Sequence, residues 1–245
     1  MEIRYYNEYS QCLNRDMDFI VYGHTGIPIL VFPAQDGHCQ DYENFGMVDT
    51  IKDKIEQGLV QLFCVESVDE ESYSDEMGNP AHRSYILEQF YYHICDEMVP
   101  RIHEINGTGK MIYTTGCSLG ATHAANMMLR RPDLFMGCIG LSGYYDTDLF
   151  FGQYVDENIY NNSPLKYLNG MSSNHPYVAL YNQRKIILCC GQGAWEDEMV
   201  KSTGLMKETF DRLGVHAWTD FWGYDVNHDW DWWIQQLPYF LGHIL

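Results

Sequence analysis

Ser118 lies at the centre of Gly116-Cys117-Ser118-Leu119-Gly120, with a glycine two residues away on each side. Apolar Met111, Ile112 and Tyr113 precede it, and Ala121, Ala124, Ala125, Met128 and Leu129 follow at helical spacing. A buried strand, a sharp turn and a helix are therefore expected, with the serine at the apex of the turn. Such a turn brings strand and helix so close that a Cβ at either flanking glycine would clash. The serine is forced into an unfavourable backbone geometry that pushes its hydroxyl out above the sheet. Backbone N–H groups at the start of the helix then point at whatever the serine attacks. The chemistry of this spacing is nucleophilic attack on an acyl carbon.

A serine hydroxyl needs a base to take its proton and a third group to orient that base. Of the ten histidines, His228 fits best, in Gly223-Tyr224-Asp225-Val226-Asn227-His228-Asp229-Trp230, between the last expected strand and the last expected helix. His123 lies inside the helix after Ser118, and the others fall early, in helices or in irregular segments. The acid is expected after the preceding strand, where Gln192-Gly193-Ala194-Trp195-Glu196-Asp197 offers two carboxylates. Glu196 is preferred, because Asp197 begins a helix and would make a natural N-cap. Asp197 is the alternative, and Asp225 ranks third because a short local loop rarely lets a side chain reach the far ring nitrogen. Two backbone donors are needed for a developing oxyanion. Leu119 N–H is one. Gln35 N–H, in the loop Pro33-Ala34-Gln35-Asp36-Gly37, is the other; Pro33 has no N–H to give. Cys117 is adjacent, but its side chain should point into the core.

All six tryptophans follow residue 194. Most are expected to pack the last strand and helix, while Trp195 and Trp230 are candidates for lining a substrate pocket. Asp36, His38, Cys39 and Asp41 form one cluster that resembles a metal site, and Asp225, His228 and Asp229 form another. Neither has an ordered ligand spacing, so no metal is expected, and no other cofactor is implied.

The elements that must position these groups alternate between strand and helix. An antiparallel pair is expected over 2–9 and 16–22, and strands over 27–32, 59–65, 111–115, 135–141, 185–190 and 217–222. Helices are expected over 41–57, 81–104, 197–213 and 229–241, with Pro100 bending the second. Residues 67–80 read as an acidic surface loop without a functional role, and 144–182 as an irregular excursion over the carboxyl ends of the strands. The fold class is α/β, with a mainly parallel sheet covered by helices on both faces and active groups beyond the carboxyl ends of its strands. At 245 residues, with no repeat or linker, one domain spanning 1–245 is expected.

The formal charge of −19, from 34 acidic and 15 basic residues, disfavours nucleic acid and anionic lipid surfaces as partners. No apolar run reaches the length of a membrane span. The start Met1-Glu2-Ile3-Arg4-Tyr5-Tyr6 has no basic region followed by an apolar run, so a cytoplasmic protein with reduced cysteines is expected. Self-association is left open.

The chain resembles the esterase family of α/β-hydrolases that includes esterase D, the feruloyl esterases and the antigen 85 mycolyltransferases. The resemblance covers most of the chain. It is carried by Phe32-Pro33-Ala34-Gln35, Gly116-Cys117-Ser118-Leu119-Gly120, Gly191-Gln192-Gly193-Ala194-Trp195-Glu196 and Asp225-Val226-Asn227-His228-Asp229-Trp230. It implies the α/β-hydrolase fold, a Ser–acid–His set and hydrolysis of a small-molecule carboxylic ester through an acyl-enzyme. Two other readings are an acyltransferase built on the same acyl-enzyme and a non-catalytic binding protein on this scaffold. One departure is Phe-Pro-Ala-Gln where the family carries a His-Gly or Asp-Gly signature. The extracellular members' substrates are not carried over.

Overall fold

The structure is a computed structural model that describes residues 1–245. Its eight strands are β1 (Ile3–Ser10), β2 (Arg15–Tyr22), β3 (Ile27–Phe32), β4 (Val60–Val65), β5 (Ile112–Cys117), β6 (Phe135–Leu141), β7 (Lys185–Cys190) and β8 (Trp218–Phe221). They form one sheet in the order β1-β2-β4-β3-β5-β6-β7-β8. β1 pairs antiparallel with β2, and β2 antiparallel with β4. From β4 through β8 every pairing is parallel. This is the α/β-hydrolase arrangement, and β5 with its Ser118 turn lies near the middle of the sheet.

Alternate residues of the strands feed two cores. Leu30, Phe32, Phe63 and Leu188 face one side, while Ile29, Val31, Leu62 and Ile187 face the other. The first side is covered by α4 (Pro80–Tyr92), α5 (Val99–Asn106), α6 (Leu119–Arg130) and α11 (Asp197–Leu213). The second is covered by α1 (Asp41–Asn44), α2 (Met47–Thr50), α3 (Lys52–Glu56) and α12 (Trp230–Leu241). Strands apolar on both faces are what a sheet sandwiched between helix layers requires. No helix is long and apolar enough to cross a membrane.

Three expectations are corrected here and one, the long second helix, is refined. The helix expected over 41–57 is three short ones, broken first where Gly46 takes φ 80°. Val48, Ile51 and Ile55 point inward, while Phe45, at the same helical spacing, is 49% exposed and stacks on Trp230, with ring centroids 4.5 Å apart. The helix expected over 81–104 is α4 and α5 joined by a π-helical turn at His93–Met98. Pro100 explains the turn, because it has no N–H for the Asp96 carbonyl one turn back.

Residues 67–80 are not a featureless surface loop. Asp69, Ser72 and Tyr73 are buried, and Asp69 Oδ1 lies 2.9 Å from His123 Nε2 on α6. Residues 144–182 are not irregular either. They hold α7 (Asp148–Phe151), α8 (Glu157–Asn161), α9 (Pro164–Asn169) and α10 (Pro176–Tyr181). Leu165, Leu168, Val178 and Tyr181 join the core beside α6, and the Tyr181 hydroxyl donates to Leu129 O at 2.6 Å. The later part of this segment therefore covers a sheet face rather than the strand ends.

Candidate active site

Ser118 follows β5 with φ 55° and ψ −124°, a conformation that favours glycine. Its N–H donates to Leu141 O at 2.8 Å, which ties the apex to the end of β6. The flanking glycines are needed for the reason their spacing suggests. A Cβ on Gly116 would sit 2.3 Å from the Gly120 carbonyl carbon, and one on Gly120 would sit 2.2 Å from Pro33 O. The second contact joins the serine turn to the loop after β3, the loop expected to carry the other oxyanion donor.

The Ser118 hydroxyl lies 2.9 Å from His228 Nε2, across 110 residues of chain. On the far side of the ring, His228 Nδ1 faces Glu196 Oε2 at 3.6 Å. That separation is just beyond hydrogen-bond length, yet both atoms are buried and neither has any other partner. Glu196 is fully buried. Its Oε1 accepts from the Ser142 hydroxyl at 2.5 Å and from Gly191 N–H at 3.3 Å. Asp197 is exposed at the first position of α11, and Asp225 is exposed in the loop before His228. Glu196, rather than Asp197, occupies the N-cap position, but its side chain makes no cap hydrogen bond and turns to the histidine instead.

The loops bearing the two groups are stitched together. Gln192 N–H donates to Gly223 O at 3.1 Å, Gly193 N–H to Val226 O at 2.8 Å and His228 N–H to Ala194 O at 3.0 Å. Ala194 N–H donates to Asn227 Oδ1 at 2.8 Å, and Gln192 Nε2 to Trp222 O at 2.6 Å. Gly191 and Gly193 permit this approach, since a Cβ on either would fall within 3 Å of Val226 O.

Leu119 N–H and Gln35 N–H make no hydrogen bond within the chain. The first is a first-turn N–H of α6, which the helix itself cannot satisfy. The second belongs to a turn closed by Gly37 N–H on Ala34 O at 2.9 Å, with Asp36 at φ 54°. Gln35 Nε2 donates to Ser74 Oγ at 2.8 Å, so the turn is braced by the loop that Asp69 anchors. Cys117 is fully buried, its sulfur 3.6 Å from the Tyr42 hydroxyl, and burial pushes its thiol up. A neutral buried thiol is a poor nucleophile.

The two tryptophans proposed for a pocket differ. Trp195 is 83% exposed and held at φ 67° immediately before Glu196. Trp230 is half-buried; it stacks on Phe45 and meets the edge of Trp233 at 5.0 Å, so its ring is occupied in packing. Asp229 holds the N-cap position at the start of α12 without a side-chain cap bond. Of the residues that resembled metal ligands, His38 pairs with Glu66, and Asp41 accepts from His38 N–H at 3.0 Å. Nowhere do three or more His, Cys, Asp or Glu side chains converge as ligands would.

Sequence reasoning assigned no role to Ser142, Trp233 or Ser74. A signal existed for the first, because β6 neighbours β5 and Ser142 stands at its carboxyl end, where active groups gather. Trp233 read as one more core position of an apolar helix. Its Nε1 contact with Ser142 Oγ, at 3.0 Å, and its edge-on contact with the His228 ring distinguish it.

The chain belongs to the family described as "Putative esterase", whose model matches residues 10–244. Solved structures share the fold at low identity. A ferulic acid esterase superposes with TM-score 0.77 at 14% identity, over 97% of this chain and 95% of that one. The S-formylglutathione hydrolase of Staphylococcus aureus gives 0.66 at 15%, over 97% and 94%. MPT51 of Mycobacterium tuberculosis gives 0.71 at 16%, over 98% and 97%. No curated protein matches the sequence significantly. Family membership supports ester hydrolysis as the activity.

Proposed function

We propose that the protein is a serine esterase that hydrolyses a small-molecule carboxylic ester through an acyl-enzyme. The observation that carries this reading is the 2.9 Å contact of the strained, elbow-borne Ser118 hydroxyl with His228 Nε2. His228 takes the proton as Ser118 Oγ attacks the ester carbonyl, and the carbonyl oxygen becomes an oxyanion. Leu119 and Gln35 N–H groups donate to that oxygen, at the positively polarised start of α6. The intermediate collapses, the alcohol leaves with the proton from His228, and Ser118 remains acylated. Water then repeats the sequence with His228 as base, releasing the acid and restoring the hydroxyl. Glu196 holds Nδ1–H and stabilises the imidazolium formed in each half. Trp195 offers an exposed aromatic face beside the acid for part of the ester. Turnover needs no cofactor.

The test is labelling with a fluorophosphonate probe together with turnover of p-nitrophenyl acetate. Both are expected for the native chain and are lost in Ser118→Ala, which stays folded by circular dichroism. Labelling that persists in the variant rejects Ser118. Free acid as the acyl product in the presence of an added alcohol separates hydrolysis from acyl transfer.

A further inference from the structure

We propose that Ser142 is a positioning residue that acts on the reaction only through Glu196, as the middle of a relay running Trp233–Ser142–Glu196–His228. This rests on the reading of Glu196 and His228 as acid and base. Ser142 is fully buried at the carboxyl end of β6, with its N–H donating to Cys189 O at 2.6 Å. Its hydroxyl contacts two side chains: Trp233 Nε1 at 3.0 Å and Glu196 Oε1 at 2.5 Å.

The direction of these bonds is set by chemistry. An indole N–H donates and cannot accept, so the Ser142 oxygen must act as acceptor toward Trp233. Its single proton is then left for Glu196, where the bond is charge-assisted. With Gly191 N–H as second donor at 3.3 Å, Oε1 is doubly held. Oε2 is left as the only carboxylate oxygen free to meet His228 Nδ1, and the two face each other at 3.6 Å. A fully buried carboxylate requires such donors to remain charged and in one orientation. Trp233 also meets the His228 ring edge-on at 5.0 Å and 85°, so one indole contacts the base and steers the acid. Ser142 holds φ 56°, where a glycine would be at ease. A serine is therefore accommodated at a conformational cost in the one place where its hydroxyl reaches the acid.

That strain supplies a clean test. Ser142→Gly deletes the hydroxyl while suiting the backbone, and it is measured alone and combined with Glu196→Gln, using p-nitrophenyl acetate. The expected result is a kcat about 10- to 100-fold lower, the value of one hydrogen bond to a charged group. KM should stay within about twofold, because no substrate contact is lost. Circular dichroism should show the variant folded, the relief of backbone strain offsetting part of the cost of leaving Trp233 Nε1–H without its acceptor. In the Glu196→Gln background, Ser142→Gly should cause no further loss. Trp233→Phe, which keeps the ring and removes the donor, should lower kcat less and likewise have no effect in that background. An unchanged kcat in Ser142→Gly beside an impaired Glu196→Gln overturns the proposal. So does a loss that multiplies with Glu196→Gln. If Glu196→Gln itself keeps full activity, it is the assignment of the acid that fails, and the proposal with it.

Discussion

His228 Nδ1 and Glu196 Oε2 face each other at 3.6 Å, and neither atom has a hydrogen-bond partner. Two buried atoms that face each other and lack any other partner make a stronger statement than the distance alone. In the proposed mechanism the pair closes to hydrogen-bond length when the ring becomes charged, as catalytic contacts commonly tighten once substrate is bound. Replacing Glu196 with Gln leaves the packing but removes the charge, and kcat should fall by up to about 10⁴-fold, with the ring free to adopt the wrong tautomer. Asp197→Asn, one residue on and exposed, should leave kcat within about twofold and cost about 0.3–1 kcal/mol of helix-dipole interaction. Steady-state kinetics on the two variants decides between neighbouring carboxylates.

The strain at Ser118 is measurable as stability. At φ 55° and ψ −124°, glycine is favoured over any residue with a Cβ. Ser118→Gly and Ser118→Ala should both be inactive, but the glycine variant should be more stable by about 1–3 kcal/mol in urea denaturation. Equal stabilities would mean that the turn is not strained.

Gly120 sits where the serine turn meets the loop after β3. A methyl group there would be 2.2 Å from Pro33 O and 2.5 Å from Phe32 O, both backbone atoms with little room to yield. Gly120→Ala should push the Gln35 turn away from Leu119 and separate the two donors. A fall of about 10²-fold in kcat, the cost of one lost oxyanion donor, should accompany reduced stability.

Trp195 is largely exposed, so its removal should change stability by no more than about 0.5 kcal/mol. If its ring contacts the ester, Trp195→Ala should raise KM for an aryl ester about 3- to 10-fold with kcat little changed. A flat KM across aryl and alkyl esters would assign the tryptophan no role in binding.

Acid sensitivity should be set far from the active centre. Glu97 Oε1 accepts from Gln11 N–H at 2.8 Å and Cys12 N–H at 3.1 Å, while Oε2 accepts from Ser10 Oγ at 2.7 Å and lies 2.7 Å from His93 Nδ1. Burial alone would raise the Glu97 carboxyl, but hydrogen bonds from Ser10, His93 and Cys12 outweigh it and hold the group down at about 2. Burial also lowers the His93 imidazole below its ordinary value, against the pull of Glu97. Both groups bind protons more weakly folded than unfolded, so both stabilise above their unfolded values. That stability is lost as the pH falls, for His93 below about 6.5 and for Glu97 from about 4.5 towards 2. Melting temperatures across this range should decline for the native chain. Glu97→Gln should melt lower at pH 7 and decline less steeply below about pH 4.5.

What was legible in the sequence follows from what local patterns encode. Spacing located the Ser118 turn, because two glycines and a serine leave few other backbone solutions. Chain order singled out His228 and Glu196, whose side chains face each other at 3.6 Å, because strands alternate with helices and the groups follow successive strands. Patterns did not reveal where helices break: Phe45 kept the helical period, but Gly46 at φ 80° turned the chain. Nor did they reveal α7 to α10, each four to six residues long and too short to show a helical repeat. Asp69–His123 and Ser142–Glu196 are each 54 residues apart, and polar pairs at such separations leave no trace in local hydrophobicity.

The five hydrogen bonds that stitch residues 192–194 to the loop ending at His228 have a consequence for how this molecule can change. In the proposed mechanism acid and base then form one cassette between β7 and α12, held by these bonds and by the Ser142 hydroxyl on Glu196. Neither the 144–156 stretch nor the Asp69 loop contributes to those five bonds, so sequence changes there should leave the stitching of Glu196 to His228 in place.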